Sequence, residues 1–182
     1  MKYIVLILSI FFYNSCDGLP KPTSQDDYLI INSYLNKFEH PKLASEAYFS
    51  ATPKIFFGNY LKWKNSIINE NFEKMFFGKN QKWIFDDEEI DYMKKRYQNW
   101  NRLVWDKKYL KHSTIVINTK GDSSNNSYDF KIGYPFYDIT AKKAMLIVSS
   151  IKGRLDSSIV IYLFKKIDGI WMQVGAMPYS VS

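Results

Sequence analysis

Few side chains in this sequence suit catalysis or metal binding. The chain of 182 residues has one cysteine, Cys16, and two histidines, His40 and His112. A disulfide within the chain and a zinc site built from cysteines are therefore excluded, and a mechanism using several imidazoles has no spare partners. Either histidine could act as a general base. Their spacing, however, forms no Ser-His-Asp or Cys-His arrangement, and the sequence has no glycine-rich phosphate loop.

A run of carboxylates is the second group with possible chemistry. It comprises Asp86, Asp87, Glu88, Glu89 and Asp91. The run lacks the alternating ligands, central glycine and distal glutamate of a calcium-binding EF-hand loop. The first turn of a helix favours acidic side chains because it carries the positive end of the helix dipole. We therefore predict a helix start there, and no metal or other cofactor.

Tryptophans form the third group. Trp83 and Trp105 stand beside charged residues and could form a stacking platform for sugars. Aromatic side chains at such positions more often belong to a core, where their large apolar area is buried. Both interpretations stay open, and Trp83 and Trp105 are the candidate ligand-binding residues.

The charge of the chain argues against nucleic acid as a partner. The net charge is +7, but only three of the 25 basic residues are arginine. Proteins that read phosphates or base edges depend on the bidentate guanidinium group. An excess of lysine instead fits solubility, or weak attraction to anionic lipid or polysaccharide.

The N-terminus carries the strongest signal in the sequence. After Lys2, an apolar run extends from Tyr3 to Tyr13. The run is shorter than the roughly 20 residues of a membrane-spanning helix. It fits the apolar region of a secretory signal peptide, which has about 7 to 15 residues. Cleavage after Gly18 by an ordinary signal peptidase is one interpretation of the site that follows.

The other interpretation is a lipid anchor. Ser15 followed by Cys16, directly after the apolar run, resembles the lipobox of bacterial lipoproteins, although Tyr13 and Asn14 depart from its preferred residues. The resemblance implies a signal peptide over 1–15, a diacylglyceryl group on Cys16 and a tether over 16–24. It also implies a membrane-anchored position in the bacterial cell envelope, facing the periplasm or the cell surface. Stable anchoring takes more than one acyl chain, which such a group provides.

The remaining residues, 25–182, are predicted to form one domain that begins with helices. Ser24 or Thr23 can cap a first helix whose apolar stripe extends to Phe38 and which Pro41 ends. Two further helices are expected near 43–50 and 54–68. Asp86 and Glu89 have the spacing of a capping box, with the buried stripe of that helix formed by Ile90, Met93, Tyr97 and Trp100.

From Ser113 onward the pattern favours strands. Two long strands are expected over 142–152 and 157–166, followed by a turn at Asp168-Gly169 and a last strand over 170–175. We predict an α+β fold in which an antiparallel β-meander of about five strands packs on the helices. Apolar residues alternate onto both faces of the first long strand, so the sheet should be covered or strongly curved.

The C-terminal part of the chain contains an ordered series of short strand motifs. Their residues are Pro135, Phe136, Lys143, Ala144, Gly153, Tyr162, Leu163, Lys165, Lys166, Asp168, Gly169, Trp171 and Val174. In this order the motifs resemble the C-terminal half of many small secreted bacterial proteins, and the resemblance covers about a quarter of the chain. The sheet of those proteins is similar to the cone of NTF2-like and cystatin-like folds, which implies architecture and export but no particular activity.

Three functional hypotheses follow. The first is a non-enzymatic envelope lipoprotein that binds a partner protein or polysaccharide, an immunity-like or accessory protein being one version. The second is a small NTF2-like enzyme with a pocket inside the cone, and the third is a carbohydrate-binding module using Trp83 or Trp105. An enzyme needs a pocket with convergent polar groups and a perturbed pKa, whereas a binding module should have a filled cone and an exposed apolar patch.

Overall fold

The computed structural model describes residues 24–47, 53–65, 83–98, 104–117, 128–152 and 156–179. The helices in these segments are α1 (Gln25–Leu35), α2 (Pro53–Asn65) and α3 (Asp87–Arg96), with a short 3-10 helix at Lys107–Tyr109. The strands are β1 (Lys42–Ala44), β2 (Ile115–Ile117), β3 (Phe130–Ile132), β4 (Phe136–Tyr137), β5 (Lys143–Lys152), β6 (Asp156–Ile167) and β7 (Ile170–Pro178).

All seven of these strands form one mixed sheet. Their order is β2-β1-β3-β5-β6-β7, and β4 pairs with the beginning of β5. The pairs β3–β5, β5–β6 and β6–β7 are antiparallel, but β1 is parallel to both β2 and β3. The α+β class is therefore confirmed. The predicted antiparallel arrangement holds for β3 to β7, since β3 and β4 both pair with β5 in antiparallel orientation. It does not hold for β2, which pairs parallel with β1, a strand that the sequence did not predict.

The prediction of a short helix near 43–50 is wrong where the structure describes that segment. Residues 42–44 form β1, and Leu43 is fully buried. Backbone groups of distant segments stabilise the extended conformation: the Asp129 amide donates to the Lys42 carbonyl (2.8 Å) and the Ile115 amide to the Pro41 carbonyl (2.9 Å). Tertiary pairing thus overrides local helix propensity.

Helix α1 begins where the sequence predicts. The Ser24 hydroxyl accepts from the Asp27 amide (3.3 Å), and the Asp27 carboxylate accepts from the Ser24 amide (2.6 Å), which closes a capping box. The helix ends at Leu35 rather than at Pro41, because the amides of Lys37 and Phe38 bond three residues back in a tighter turn.

The two later helices agree with their sequence patterns over the described residues. Helix α2 covers most of the predicted 54–68 segment. Helix α3 has the expected capping box, since the Glu89 amide donates to Asp86 (2.8 Å) and the Asp86 amide to Glu89 (2.9 Å). Ile90, Met93 and Tyr97 are buried as predicted, and Trp100 lies outside the described residues.

Helices cover both faces of the sheet. On one face, Tyr34 of α1 contacts Tyr162 of β6, with the ring centroids 4.9 Å apart. On the other, Phe57 of α2 contacts Phe136 of β4 at 5.3 Å, and Lys143 of β5 forms an ion pair with Glu89 of α3. Covering both faces explains why consecutive residues 144–148 of β5 are all buried.

The β6–β7 hairpin turns at Asp168 and Gly169, as predicted. Both residues have positive φ, 49° and 81°, which is the backbone of a type I′ turn. Glycine reaches this conformation without steric cost, and aspartate tolerates it better than most residues.

Candidate functional site

An open groove lies at the C-terminal end of α1, between the helix and the sheet. Its volume is about 750 Å³, within the range of small-ligand sites in proteins. Segments from the end of α1, the following turn, β3 and its approach, β5 and β6 form its walls. Its lining residues are Tyr34, Lys37, Phe38, Glu39, His40, Pro41, Asp129, Phe130, Ser150, Ser158, Val160 and Tyr162.

Four aromatic rings form one wall of this groove. Phe38 lies 4.5 Å from Phe130, and Tyr34 lies 4.9 Å from Tyr162, both measured between ring centroids. Tyr34 and Phe130 are buried, whereas Phe38 and Tyr162 are only partly buried. Phe38 and Tyr162 therefore retain accessible surface beside the groove, held in place by the two buried rings.

Lys37 supplies positive charge next to these rings. Its ammonium nitrogen lies 5.2 Å from the Tyr34 centroid and 5.3 Å from the Tyr162 centroid, within the range of cation–π attraction. It also donates a hydrogen bond to the Gln173 side chain of β7. Partial burial lowers the pKa of Lys37, because it disfavours the charged form.

Hydroxyl and carboxylate groups complete the lining. Ser150 and Ser158 are register partners on β5 and β6, and their hydroxyl oxygens are 2.7 Å apart. The Asp129 carboxylate accepts from the Lys42 amide (3.0 Å), which fixes it beside β1. His40 lines the same groove, while His112 is exposed in a turn and is not among the lining residues.

A second polar cluster lies at the opposite end of α1, where it is buried and out of reach of a ligand. Asp27 is fully buried. One of its oxygens closes the α1 capping box, and the other accepts from the Tyr137 hydroxyl of β4 (2.6 Å). The Tyr137 amide in turn donates to the Tyr97 hydroxyl at the end of α3 (3.0 Å). The cluster therefore joins α1, β4 and α3.

Burial shifts the ionisation of this cluster. Desolvation raises the pKa of Asp27, although its hydrogen bonds from Tyr137, Ser24 and Tyr134 oppose that shift. Desolvation also raises the pKa of Tyr137, and the nearby Asp27 charge adds to the effect. Perturbed pKa values often mark functional sites. Here the carboxyl has no exposed surface and its partners lie within the domain, so its role is to hold the domain together.

The structure does not bring the two candidate tryptophans to the groove. Trp105 is 3% exposed and packs edge-on against Tyr28, with centroids 6.1 Å apart, which favours the core interpretation. Trp83 is partly buried and meets the Tyr60 ring edge-on at 5.2 Å. Sugar stacking by Trp83 stays a prediction. For Trp105, burial removes the open ring face that stacking requires. Cys16 lies outside the described residues.

The carboxylates that begin α3 pair with lysines. Asp87 lies 2.7 Å from Lys64, and Glu89 lies 2.5 Å from Lys143. Within the described segments, no group of three or more histidine, cysteine, aspartate or glutamate side chains could hold a metal ion. These same segments contain no helix that is long and apolar enough to cross a membrane.

Sequence reasoning missed the groove because its walls come from distant segments. It identified His40 only as an isolated candidate base. A signal was nevertheless present, since Ser150 and Ser158 interrupt apolar strands at positions that pair across β5 and β6. Paired hydroxyls are rare inside a sheet whose two faces are covered. Their presence therefore indicates the end of the sheet that solvent can reach.

Comparisons of this chain with protein-family models, curated proteins and solved structures find no match.

Proposed function

We propose that this chain is a lipid-anchored protein of the bacterial cell envelope whose domain is a non-enzymatic binding module. Its groove beside α1 takes a segment of envelope polysaccharide. The observation that carries this proposal is the lining of the groove, where partly exposed aromatic rings stand next to hydroxyl, carboxylate and ammonium groups.

The lining suits a sugar chain better than a purely apolar ligand. A sugar ring has an apolar face, which can pack on the rings of Phe38 and Tyr162, and hydroxyl edges, which need hydrogen-bonding partners. Ser150, Ser158 and Asp129 supply such partners along the same groove. Lys37 and the net charge of +7 favour a polysaccharide that carries acidic groups.

The interior of the domain supports a binding role. Met145, Ile147 and Leu163 on one face of the sheet and Leu146 and Phe164 on the other are fully buried. Side chains thus fill the space between sheet and helices in the described segments, where an NTF2-like enzyme would hold its substrate. We retain NTF2-like or cystatin-like architecture as part of the proposal, supported by the long β5–β7 meander with α1 across one face.

Binding to purified peptidoglycan, measured by cosedimentation and by calorimetry with its soluble fragments, tests the groove. We expect Tyr162→Ala to weaken binding by about tenfold, since ring contacts are worth roughly 1–1.5 kcal/mol. Tyr109→Ala is the matched control, because Tyr109 is an exposed tyrosine outside the groove. Equal loss in both variants, or no binding by the unaltered protein, would refute polysaccharide binding at this groove.

The lipid anchor has its own test. The intact mass of protein extracted from membranes should correspond to a chain that starts at Cys16 and carries acyl groups. A Cys16→Ala variant should lose the added mass. An unmodified chain that starts after Gly18 would show instead that the domain is secreted without an anchor.

An enzyme is the second candidate, because His40 lines the same groove as Ser150 and Ser158. If the groove cleaves its ligand, soluble fragments should be released from peptidoglycan, and His40→Gln should stop the release while ligand binding persists. Binding without release of fragments supports the binding module.

A further inference from the structure

A set of exposed apolar side chains lies at one end of the sheet. Ile139, Ile167, Ile170 and Met172 are 66%, 45%, 67% and 50% exposed. Single exposed apolar residues are ordinary, but several together mark a surface that contacts another phase or molecule. We refer to these four residues as the apolar tip.

Strand register places three members of the apolar tip together, and a backbone hydrogen bond brings the turn of the fourth beside them. Ile167 and Ile170 are partners next to the Asp168-Gly169 turn, and Met172 lies two residues further along β7, on the same face as Ile170. The Lys166 amide donates to the Lys142 carbonyl (2.8 Å), which brings the turn that contains Ile139 alongside. Two amides of that turn, from Lys142 and Lys143, donate to the Asp138 carboxylate at 2.9 Å.

The described chain begins next to this tip. The Lys166 ammonium lies 3.0 Å from both carboxylate oxygens of Asp26, in the first turn of α1. Ser24, the first described residue, caps the same turn. Cys16 is eight residues before Ser24, and eight residues span at most about 29 Å. A lipid on Cys16 would therefore hold this end of the domain close to the bilayer surface.

We infer that the apolar tip inserts into the interfacial region of the bilayer that Cys16 anchors, and so fixes the orientation of the domain on the membrane. The inference rests on the proposed anchor. It also leaves the far end of the groove accessible, because Ser150 is seven residues along β5 from Lys143, or about 23 Å. The near end of the groove is closer to the tip, since Lys37 donates to Gln173, the residue after Met172. The tip faces lipid while the groove faces the envelope space.

The charges around the tip indicate which force drives its contact with the bilayer. Lys142 and Lys165 stand beside the apolar residues, while Asp168 is exposed in the turn and Lys166 is paired with Asp26. The acidic start of α3 is also close, since Glu89 pairs with Lys143. Positive and negative groups nearly balance, so burial of apolar area, rather than attraction to anionic lipid, should drive the contact.

A fluorescent label at the tip tests the inference. The protein is extracted from membranes as an Ile170→Cys variant, in which acylation blocks Cys16 and leaves one reactive thiol. It is labelled with an environment-sensitive nitrobenzoxadiazole dye and reconstituted in phosphatidylcholine vesicles. We expect a blue shift, a severalfold rise in emission and quenching by lipids that carry a nitroxide near the headgroup.

The matched control is Ile115→Cys, an exposed isoleucine of β2 at the opposite edge of the sheet, 43% exposed. Its label should keep an aqueous spectrum and resist quenching. Replacing a fifth of the lipid with phosphatidylglycerol should change the Ile170 signal little. Ile139→Cys repeats the measurement in the neighbouring turn if the hairpin variant folds poorly.

Three outcomes would overturn the inference. The first is an aqueous spectrum at both Ile170 and Ile139, and the second is equal quenching at Ile115. The third is a blue shift that follows protein concentration without vesicles, which would identify a second copy of the chain as the occupant. If the mass shows no acyl group and a chain that starts after Gly18, the secreted Ile170→Cys protein, which then has a single thiol, is added to the same vesicles. The absence of a lipid anchor can thereby be distinguished from the absence of tip insertion.

Discussion

The two ends of α1 place polar groups beside tyrosine rings in opposite environments. At the N-terminal end, Asp27 is fully buried and accepts hydrogen bonds from the Ser24 amide of its own helix cap and from the Tyr137 hydroxyl of β4. At the C-terminal end, Lys37 lies beside Tyr34 and Tyr162 in an open groove. Burial shifts the pKa of both groups toward the neutral form. A shifted pKa therefore does not by itself identify a site, and access to a ligand has to be shown separately.

The largest expected difference between these ends is in stability. We expect Asp27→Ala to lower the free energy of unfolding by about 3 kcal/mol, because it leaves the Tyr137 hydroxyl and the Ser24 amide without their acceptor. Asp129→Ala, at the groove, should cost only about 1 kcal/mol, since that half-buried carboxylate caps one amide. Urea unfolding measures the loss of stability in both variants. Equal losses would contradict the expected difference between the two ends of α1.

A matched pair of tyrosine substitutions sharpens the comparison. Tyr137→Phe removes one hydroxyl that donates to the buried carboxylate, and we expect a loss of about 1.5 kcal/mol. Tyr162→Phe removes a hydroxyl that lies beside Tyr34 at the edge of the groove, where water can replace it, and should cost about 0.5 kcal/mol. A larger loss for Tyr162→Phe in the same denaturation series would show that the groove, not the Asp27 cluster, is the more critical contact.

The raised pKa of Asp27 predicts a pH dependence with a definite sign. The folded state holds the Asp27 proton more tightly than the unfolded state, whose ordinary value is 3.8. Asp27 therefore favours folding below that value and loses this contribution as the pH rises through its folded pKa. Each tenfold increase in proton affinity on folding corresponds to about 1.4 kcal/mol.

Unfolding curves of the unaltered protein and Asp27→Asn, recorded from about pH 3.5 upward so that they begin near the ordinary aspartate range, check this sign. The stability advantage of the unaltered protein should shrink with rising pH. An advantage that grows with pH would mean that the hydrogen bonds outweigh desolvation, and that the pKa is lowered.

The smallest expected effect on stability is at Lys37. Lys37→Gln should change the free energy of unfolding by less than about 0.5 kcal/mol, because a partly exposed cation gains little from its neighbours. In NMR titrations of the dimethylated protein, the Lys37 signal should titrate below the ordinary lysine value of 10.5, since burial lowers its pKa. A peptidoglycan fragment should shift that signal if the groove is the binding site. A titration at or above the ordinary value would show that Lys37 is fully hydrated.

Local signals made several elements predictable. The caps at Ser24 and Asp86 each depend on a side chain and an amide three residues apart. The turn at Asp168-Gly169 depends on two residues that tolerate positive φ. The long strands β5, β6 and β7 followed from their apolar patterns, and both their order and their antiparallel pairing agree with the prediction.

Elements that depend on distant partners were not predictable in the same way. Lys42–Ala44 has three residues, too few for a periodic pattern, and becomes a strand because Ile115–Ile117 and Phe130 pair with it. The burial of Trp105 has the same cause, since Tyr28, more than seventy residues earlier in the chain, packs against it. Neither residue type nor neighbouring sequence distinguishes such a tryptophan from an exposed one.

The sequence by itself determined the class of fold, the capped helix starts, the β6–β7 hairpin and the scarcity of catalytic side chains, because each depends on composition or on residues a few positions apart. It also supplied the expectation of an anchor at Cys16, which lies outside the described residues. The tertiary structure alone decided which polar residues are buried and which are accessible to a ligand. Asp27 and Lys37 are ten residues apart in the sequence, and only the packing of β4, β6 and α3 around α1 buries one and opens a groove beside the other.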